Sequence, residues 1–137
     1  MAGWYASPAR GATSTLPAMG EDANPEPGAE SRRIDASALP WRDTPCSGVS
    51  WKKLHFDPAT GESAVLLRFA PGAAYDRHRH PRGEQYLVLE GQLQDGAGTW
   101  GPGSYVRHPP GSVHTPRSAT GCVVFVLLPA PIEVLGA

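Results

Sequence analysis

Proline and glycine divide this chain of 137 residues into short segments, because it contains 15 prolines and 16 glycines. Average usage of roughly 5% proline and 7% glycine would give about half that total. Proline removes a backbone hydrogen-bond donor, and glycine is entropically costly inside a helix, so long uninterrupted helices are unfavourable. The chain must therefore fold through short elements joined by tight turns.

Apolar runs rich in β-favouring residues lie between these turns. Five runs favour strands by residue type, at residues 50–56, 64–70, 85–90, 104–107 and 122–128. Turn signals such as Pro71-Gly72 and Asp95-Gly96 separate them. No segment with a helical period competes with this pattern. Short strands at close spacing predict an all-β fold, an antiparallel sandwich or barrel.

The N-terminal part of the chain differs in composition from the rest. Before residue 32 the large apolar residues are Trp4, Tyr5, Leu16 and Met19. Such a segment buries too little apolar surface to offset the entropy of ordering it. We therefore predict a disordered leader at 1–33 and one folded domain at 34–137. The alternative is a docking tail or strand-exchange arm built around Trp4 and Tyr5.

Charge and cysteine content exclude several classes of function. The net charge is −1, so no basic field is available to hold a phosphate backbone, and nucleic-acid binding is not expected. No apolar run approaches the ~20 residues that cross a bilayer, and the N-terminus does not resemble a secretory signal. Cys46 and Cys122 form no C-x-x-C motif, and two reduced thiols are typical of cytosolic proteins. We expect a cytoplasmic protein without a membrane partner.

Three of the five histidines and one glutamate form a pattern typical of a metal site. His78 and His80 are two residues apart, so an extended backbone places both imidazoles on one face. The turn at 81–83 allows the chain to bend and bring Glu84 toward the same point, while His114 would arrive from a distant strand. Three imidazole nitrogens and one carboxylate oxygen suit Fe2+, Zn2+, Mn2+, Ni2+ or Cu2+. We therefore predict that these four residues bind one divalent transition-metal ion.

The spacing of these residues resembles the two conserved motifs of the cupin superfamily. Residues 72–91 read G-x5-H-x-H-x3-E-x6-G, and residues 103–114 read G-x5-P-x-G-x2-H. The wider sequence, including Leu89-Glu90-Gly91, is similar to the cupin domain of the ChrR-like group. This resemblance implies a single cupin domain, which is a conical β-barrel of the jelly-roll type. It also implies that one metal ion lies inside the barrel, held by His78, His80, Glu84 and His114.

The ChrR-like resemblance implies two classes of function, and it favours Fe2+ or Zn2+ as the ion. The group is similar to small dioxygenases that act on β-dicarbonyl compounds, which implies a metal-dependent oxidoreductase, with lyase or isomerase chemistry as alternatives. The group is named for an anti-sigma factor whose cupin half carries zinc, which implies a non-catalytic zinc or small-molecule sensor. The zinc module of that factor would need upstream His or Cys, and neither precedes Cys46. A sensor would therefore act through a separate partner chain.

Several further residues are candidates for the surroundings of the metal. Glu84 would serve as a catalytic base if it is not a ligand. Tyr86 and Val88 lie on the same face of the predicted strand as Glu84. They are pocket candidates, with core packing as the alternative. His108 is also a pocket candidate, the alternative being an ordinary, partly exposed histidine.

Arginines and tryptophans outside the motifs have two interpretations each. The arginines that would attract an anionic substrate, or lie on solvated strand faces, are Arg68, Arg107 and Arg117. The tryptophans expected to pack, in the core or in a dimer contact, are Trp41, Trp51 and Trp100. An open sheet edge on a small barrel favours pairing with another copy. We therefore expect a homodimer whose other partner is a small-molecule ligand or substrate.

Overall fold

The computed structural model describes residues 30–136. The predicted leader lies, up to residue 29, outside the described residues, so its disorder stays a prediction. From Ile34 onward the chain forms one compact unit. Within the described residues the only helical element is a single 3-10 turn at Ala36–Ala38, capped by the Asp35 side chain. None of these residues belongs to a helix that could span a bilayer.

Strands form nearly all of the regular structure. In chain order they are β1 (Arg42–Asp43), β2 (Val49–Phe56), β3 (Ser63–Phe69), β4 (Arg77–His80), β5 (Glu84–Gly91), β6 (Leu93–Asp95), β7 (Gly98–Trp100), β8 (Tyr105–His108), β9 (Ser112–His114), β10 (Cys122–Leu128) and β11 (Glu133–Gly136). The five strands predicted from apolar runs correspond to β2, β3, β5, β8 and β10, with ends that agree within one residue. The all-β prediction is confirmed.

The strands pair across long stretches of sequence. The largest sheet has six strands in the order β1-β2-β3-β10-β5-β8, and a second sheet has the order β11-β4-β9. Strands β6 and β7 form a separate hairpin. Every pairing between these strands is antiparallel. Because β10 lies between β3 and β5, a late strand fills the middle of a sheet that earlier strands began, as in a jelly roll.

The core is built from the inward-facing positions of the large sheet. Residues alternate between buried and less buried positions along β5 and β10, as the period of two requires. The buried apolar residues are Cys46, Val49, Val65, Phe69, Tyr86, Val88, Leu93, Cys122, Val124 and Val126. Neither cysteine forms a disulfide. Residues of the outward positions, such as Leu87 and Leu89, remain more exposed.

A glycine in the left-handed region allows β5 to begin against β8. Gly83 has φ of +85°, and a Cβ atom at this position would lie 2.7 Å from the carbonyl oxygen of His108. A larger residue would therefore be strained in conformation and would also push the two strands apart. This close approach matters for the site, because Gly83 directly precedes Glu84 and because Glu84 lies opposite His108 in the strand register.

Candidate metal centre

Three imidazole rings converge on one point between the two larger sheets. His78 and His80 point inward from β4, and His114 lies directly opposite His78 on β9. The Nε2 atom of His80 lies 3.0 Å from that of His78 and 2.8 Å from that of His114, and the third Nε2 pair is 3.0 Å apart. The three nitrogens therefore form a nearly equilateral triangle.

Glu84 completes the cluster from the other sheet. Its Oε2 atom lies 3.2 Å from Nε2 of His80, and its Oε1 atom lies 3.7 Å from Nε2 of His114. The carboxylate is 8% exposed, and Oε1 has no hydrogen-bond partner among the described residues. The four side chains therefore lie together in the structure, as predicted. Each offers one donor atom to a metal ion.

The orientation of His78 fixes which of its nitrogens faces the cluster. Its Nδ1 atom donates a hydrogen bond to the backbone carbonyl of Asp76 at 2.6 Å. A neutral imidazole with a proton on Nδ1 carries its lone pair on Nε2, so the lone pair points toward the other two histidines. Three nitrogens in mutual contact cannot all be satisfied by hydrogen bonds to one another. A cation bound by all three nitrogens would satisfy their lone pairs.

The spacing of the nitrogens tests the fit of an ion. Metal–nitrogen bonds of about 2.0–2.1 Å set about 90° apart would separate the nitrogens by roughly 2.9 Å, whereas a tetrahedral arrangement would require roughly 3.3 Å. The observed separations of 2.8–3.0 Å match the first case. The spacing of the three histidines would therefore fit a divalent transition-metal ion.

Burial shifts the pKa values of these four side chains. Burial, reinforced by the neighbouring histidines, lowers the pKa of His80 to about 4 and that of His114 to about 3, and burial also lowers the pKa of His78. The imidazoles are therefore neutral at pH 7, which is the form that binds metals. Burial raises the pKa of Glu84 to about 8, a shift that a bound cation would oppose.

A hydrogen-bonded network centred on Asp95 lies behind the cluster. Its Oδ2 atom accepts hydrogen bonds from Tyr86 Oη at 2.8 Å, His108 Nε2 at 3.1 Å and Trp100 Nε1 at 3.2 Å. Burial alone would raise the pKa of Asp95, but hydrogen bonds from Tyr86, the Ala97 amide and Trp100, together with the charge interaction with His108, outweigh it and lower the pKa. The His108 ring meets the His114 ring edge to face at 4.9 Å. The network therefore supports one wall of the metal centre.

The metal centre opens into a cavity of about 370 Å³. Its wall is mainly apolar and comes from both larger sheets. Representative residues are Trp51, Val65, Leu67, Val126, Leu128 and Val134. The four cluster residues also line this cavity and supply polar groups to its wall. This arrangement can hold a small organic molecule with its polar end against the metal centre.

The other candidate residues fall in different surroundings. Tyr86 lines the cavity, although its hydroxyl group is turned toward Asp95. Val88 is 1% exposed and lies in the core. The His108 ring packs against the His114 ring, and 15% of the His108 side chain is exposed.

The candidate arginines and tryptophans are also dispersed. Arg68, Arg107 and Arg117 are all exposed and are not part of the described cavity wall. Trp51 lines the cavity, Trp41 stacks against Lys52 and Arg68, and Trp100 donates to Asp95. Asp95 was not predicted as part of the site, because Asp95-Gly96 carries only a turn signal in the sequence.

Comparison with known proteins identifies the fold and the family. Residues 29–130 match the family described as the ChrR Cupin-like domain. A candidate acetylacetone dioxygenase from Methylibium petroleiphilum is 16% identical, with a TM-score of 0.74 over 78% of this chain and 82% of that chain. An acetylacetone dioxygenase from Acinetobacter johnsonii is 17% identical, with a TM-score of 0.71 over 86% of this chain and 85% of that chain. At these identities the likeness shows a shared fold.

The anti-sigma protein ChrR from Rhodobacter sphaeroides, solved in complex with SigE, is also similar. It is 26% identical, with a TM-score of 0.59 over 69% of this chain, which spans half of that protein. No curated protein matches the chain. The jelly-roll barrel expected from the two sequence motifs is confirmed by these solved structures.

Proposed function

The chain belongs to the family of ChrR cupin-like domains, and from this premise we propose that it is a metal-dependent enzyme for a small organic substrate. The best candidate reaction is a dioxygenase-type oxidation of a chelating β-dicarbonyl compound. The observation that carries the proposal is the opening of the His78–His80–Glu84–His114 cluster directly into an apolar cavity. A purely structural metal has no need of such a cavity.

The spacing of the histidines supports an open coordination shell. Three nitrogens only 2.8–3.0 Å apart would bind one divalent ion, and an ion that takes five or six ligands would keep positions open for exogenous ligands. When bound, a divalent ion supplies Lewis acidity, and iron adds redox chemistry with O2. The substrate class is consistent with this site, because the two carbonyl oxygens of a β-dicarbonyl compound can chelate one ion.

The histidines and the glutamate of the cluster have different roles in the proposed reaction. The three histidines hold the ion and stay neutral at pH 7 because of their burial. Glu84 either adds a fourth ligand or turns away and removes the acidic proton from the carbon between the two carbonyl groups. The apolar wall excludes water from the reacting end of the substrate, which strengthens electrostatic interactions there.

Oxygen consumption tests the proposal. Protein reconstituted with Fe2+ under anaerobic conditions is mixed with acetylacetone and then with air-saturated buffer, and an oxygen electrode records uptake. Uptake that requires protein, iron and diketone together is expected, and the His114→Ala variant should abolish it. Tight stoichiometric zinc binding, with no turnover by any metal form across a broad substrate panel, would contradict the enzyme proposal.

The second candidate is a non-catalytic zinc or small-molecule sensor that acts through a protein partner. It is favoured by the similarity to ChrR, whose structure contains a bound SigE. A sensor should bind zinc without turnover and should change its affinity for a partner when the ligand binds. The homodimer and the cytoplasmic location expected from the sequence stay predictions.

A further inference from the structure

The cavity wall carries almost no charge outside the metal centre. Among its described lining residues, the ionisable side chains beyond the cluster are Lys53, His55, Tyr75 and Tyr86. Lys53 is exposed, and its Nζ atom lies 4.4 Å from the centre of the Trp51 ring. His55 is 46% exposed and pairs with Glu62 at 3.4 Å. The charged groups away from the metal are therefore at the solvent-facing part of the wall.

The interior between the metal centre and these exposed groups is formed by aliphatic and aromatic side chains. Val65 and Val126 are 6% and 3% exposed, and the partly buried Leu67 and Leu128 pack against the same core. A charge placed against such a wall would lose its hydration without gaining a partner, which is strongly unfavourable. An apolar group in the same place gains free energy for each unit of surface that it buries.

Tyr75 provides one polar group in this apolar cavity. Its ring meets the His78 ring edge to face at 5.2 Å, so it adjoins the metal centre. Its hydroxyl group makes no hydrogen bond to the described residues, whereas the hydroxyl of Tyr86 is engaged by Asp95. Tyr75 is therefore available to donate a hydrogen bond to a ligand oxygen near the metal.

We propose that the cavity selects an uncharged molecule with an apolar, ring-sized body and a chelating oxygen head, and that Tyr75 donates a hydrogen bond to this head. The inference rests on the proposed function, because the head is placed at the metal centre. The volume of about 370 Å³ lies within the roughly 300–1,000 Å³ typical of sites for small organic molecules. Acetylacetone would leave much of this space unfilled, whereas a phenyl-substituted diketone would occupy more of the apolar wall.

Calorimetric titration of the zinc-loaded, 137-residue chain separates binding from oxidation, because zinc has no redox chemistry. The probes are acetylacetone, benzoylacetone and benzoylacetone with a carboxylate at the para position of the ring. Benzoylacetone should bind at least tenfold more tightly than acetylacetone and at least tenfold more tightly than its para-carboxylate. Equal affinity of acetylacetone and benzoylacetone, or tight binding of the carboxylate, would overturn the proposal.

Paired variants locate the effect within the cavity. Leu67→Asn should weaken benzoylacetone binding at least fivefold, whereas Leu89→Asn, on the outer face of β5 and 44% exposed, should leave it unchanged. Tyr75→Phe should weaken binding about fivefold with zinc content unchanged, and Tyr105→Phe, 60% exposed, is its control. An unaltered affinity in Tyr75→Phe would remove the assigned hydrogen bond.

The outcomes distinguish this inference from the proposed function. If the iron-loaded protein oxidises acetylacetone but the phenyl group brings no gain in affinity, the selection by the cavity is wrong and the enzyme proposal remains. If benzoylacetone binds with the expected preference but no metal form turns over any substrate, the cavity inference holds and the enzyme proposal is wrong.

Discussion

The imidazole of His108 donates a hydrogen bond from Nε2 to the Oδ2 atom of Asp95 at 3.1 Å, while its ring packs edge to face against His114 at 4.9 Å. His108 thereby connects the buried carboxylate of Asp95, on β6, to His114 of the metal centre, on β9. His114 Nδ1 has no hydrogen-bond partner among the described residues. The orientation of the His114 imidazole therefore depends largely on packing against neighbouring rings such as that of His108. We therefore expect Asp95 to influence the metal centre through His108.

Replacement of Asp95 tests this connection. Its side-chain and backbone partners, including the amide of Ala97, all donate hydrogen bonds. Asp95→Asn places an amide NH2 among donors, so we expect a loss of about 1–3 kcal/mol in unfolding free energy. Metal affinity, measured by competition with a chelator, should fall about tenfold. The exposed Asp43→Asn is the matched control, and equal metal affinity in the two variants would contradict the connection.

Removal of single histidines tests the cluster as the metal site. His78→Ala or His114→Ala leaves only two imidazoles, so metal content measured by elemental analysis should fall from one equivalent to below about a tenth after dialysis. The control is His55→Ala, since His55 is 46% exposed and pairs with Glu62 away from the cluster. Undiminished metal in both cluster variants would place the ion elsewhere.

The turn before Glu84 makes a separate prediction about stability. Gly83→Ala combines a left-handed φ of +85° with a Cβ atom 2.7 Å from the carbonyl oxygen of His108. We expect a loss of about 1–3 kcal/mol, measured by urea unfolding of the metal-free protein. Gly101→Ala is the control, because nothing lies within 4 Å of a Cβ at this position and its φ is not in the left-handed range. Equal stability of the two variants would refute the steric argument.

Apolar runs and motif spacing predicted much of this fold and the meeting of the four cluster residues, whereas the pairing of one polar strand and the contacts of Asp95 were not predictable. Strands β2, β3, β5, β8 and β10 each contain enough apolar residues to be recognised alone. Strand β4 reads Arg-His-Arg-His and has no apolar residue, so its pairing with β9 and β11 depends on tertiary context. Its two-residue histidine spacing nevertheless predicted the shared face. Asp95 ends β6 beside a turn, and its side-chain partners lie up to 13 positions away in the chain, so no local pattern reveals its contacts.

The two cysteines should be inert in the native protein. Burial raises the pKa of Cys46 and of Cys122, although backbone or side-chain hydrogen bonds partly oppose the shift. At pH 8 a raised pKa lowers the fraction of thiolate, which is the reactive form, and burial restricts access to reagents. Ellman's reagent should therefore react at least tenfold more slowly than with free glutathione. Two equivalents should react at once in guanidinium chloride, since unfolding restores both exposure and the ordinary pKa. Rapid native labelling of both thiols, or a disulfide between Cys46 and Cys122 in a non-reducing digest, would contradict the packing of these residues in the core.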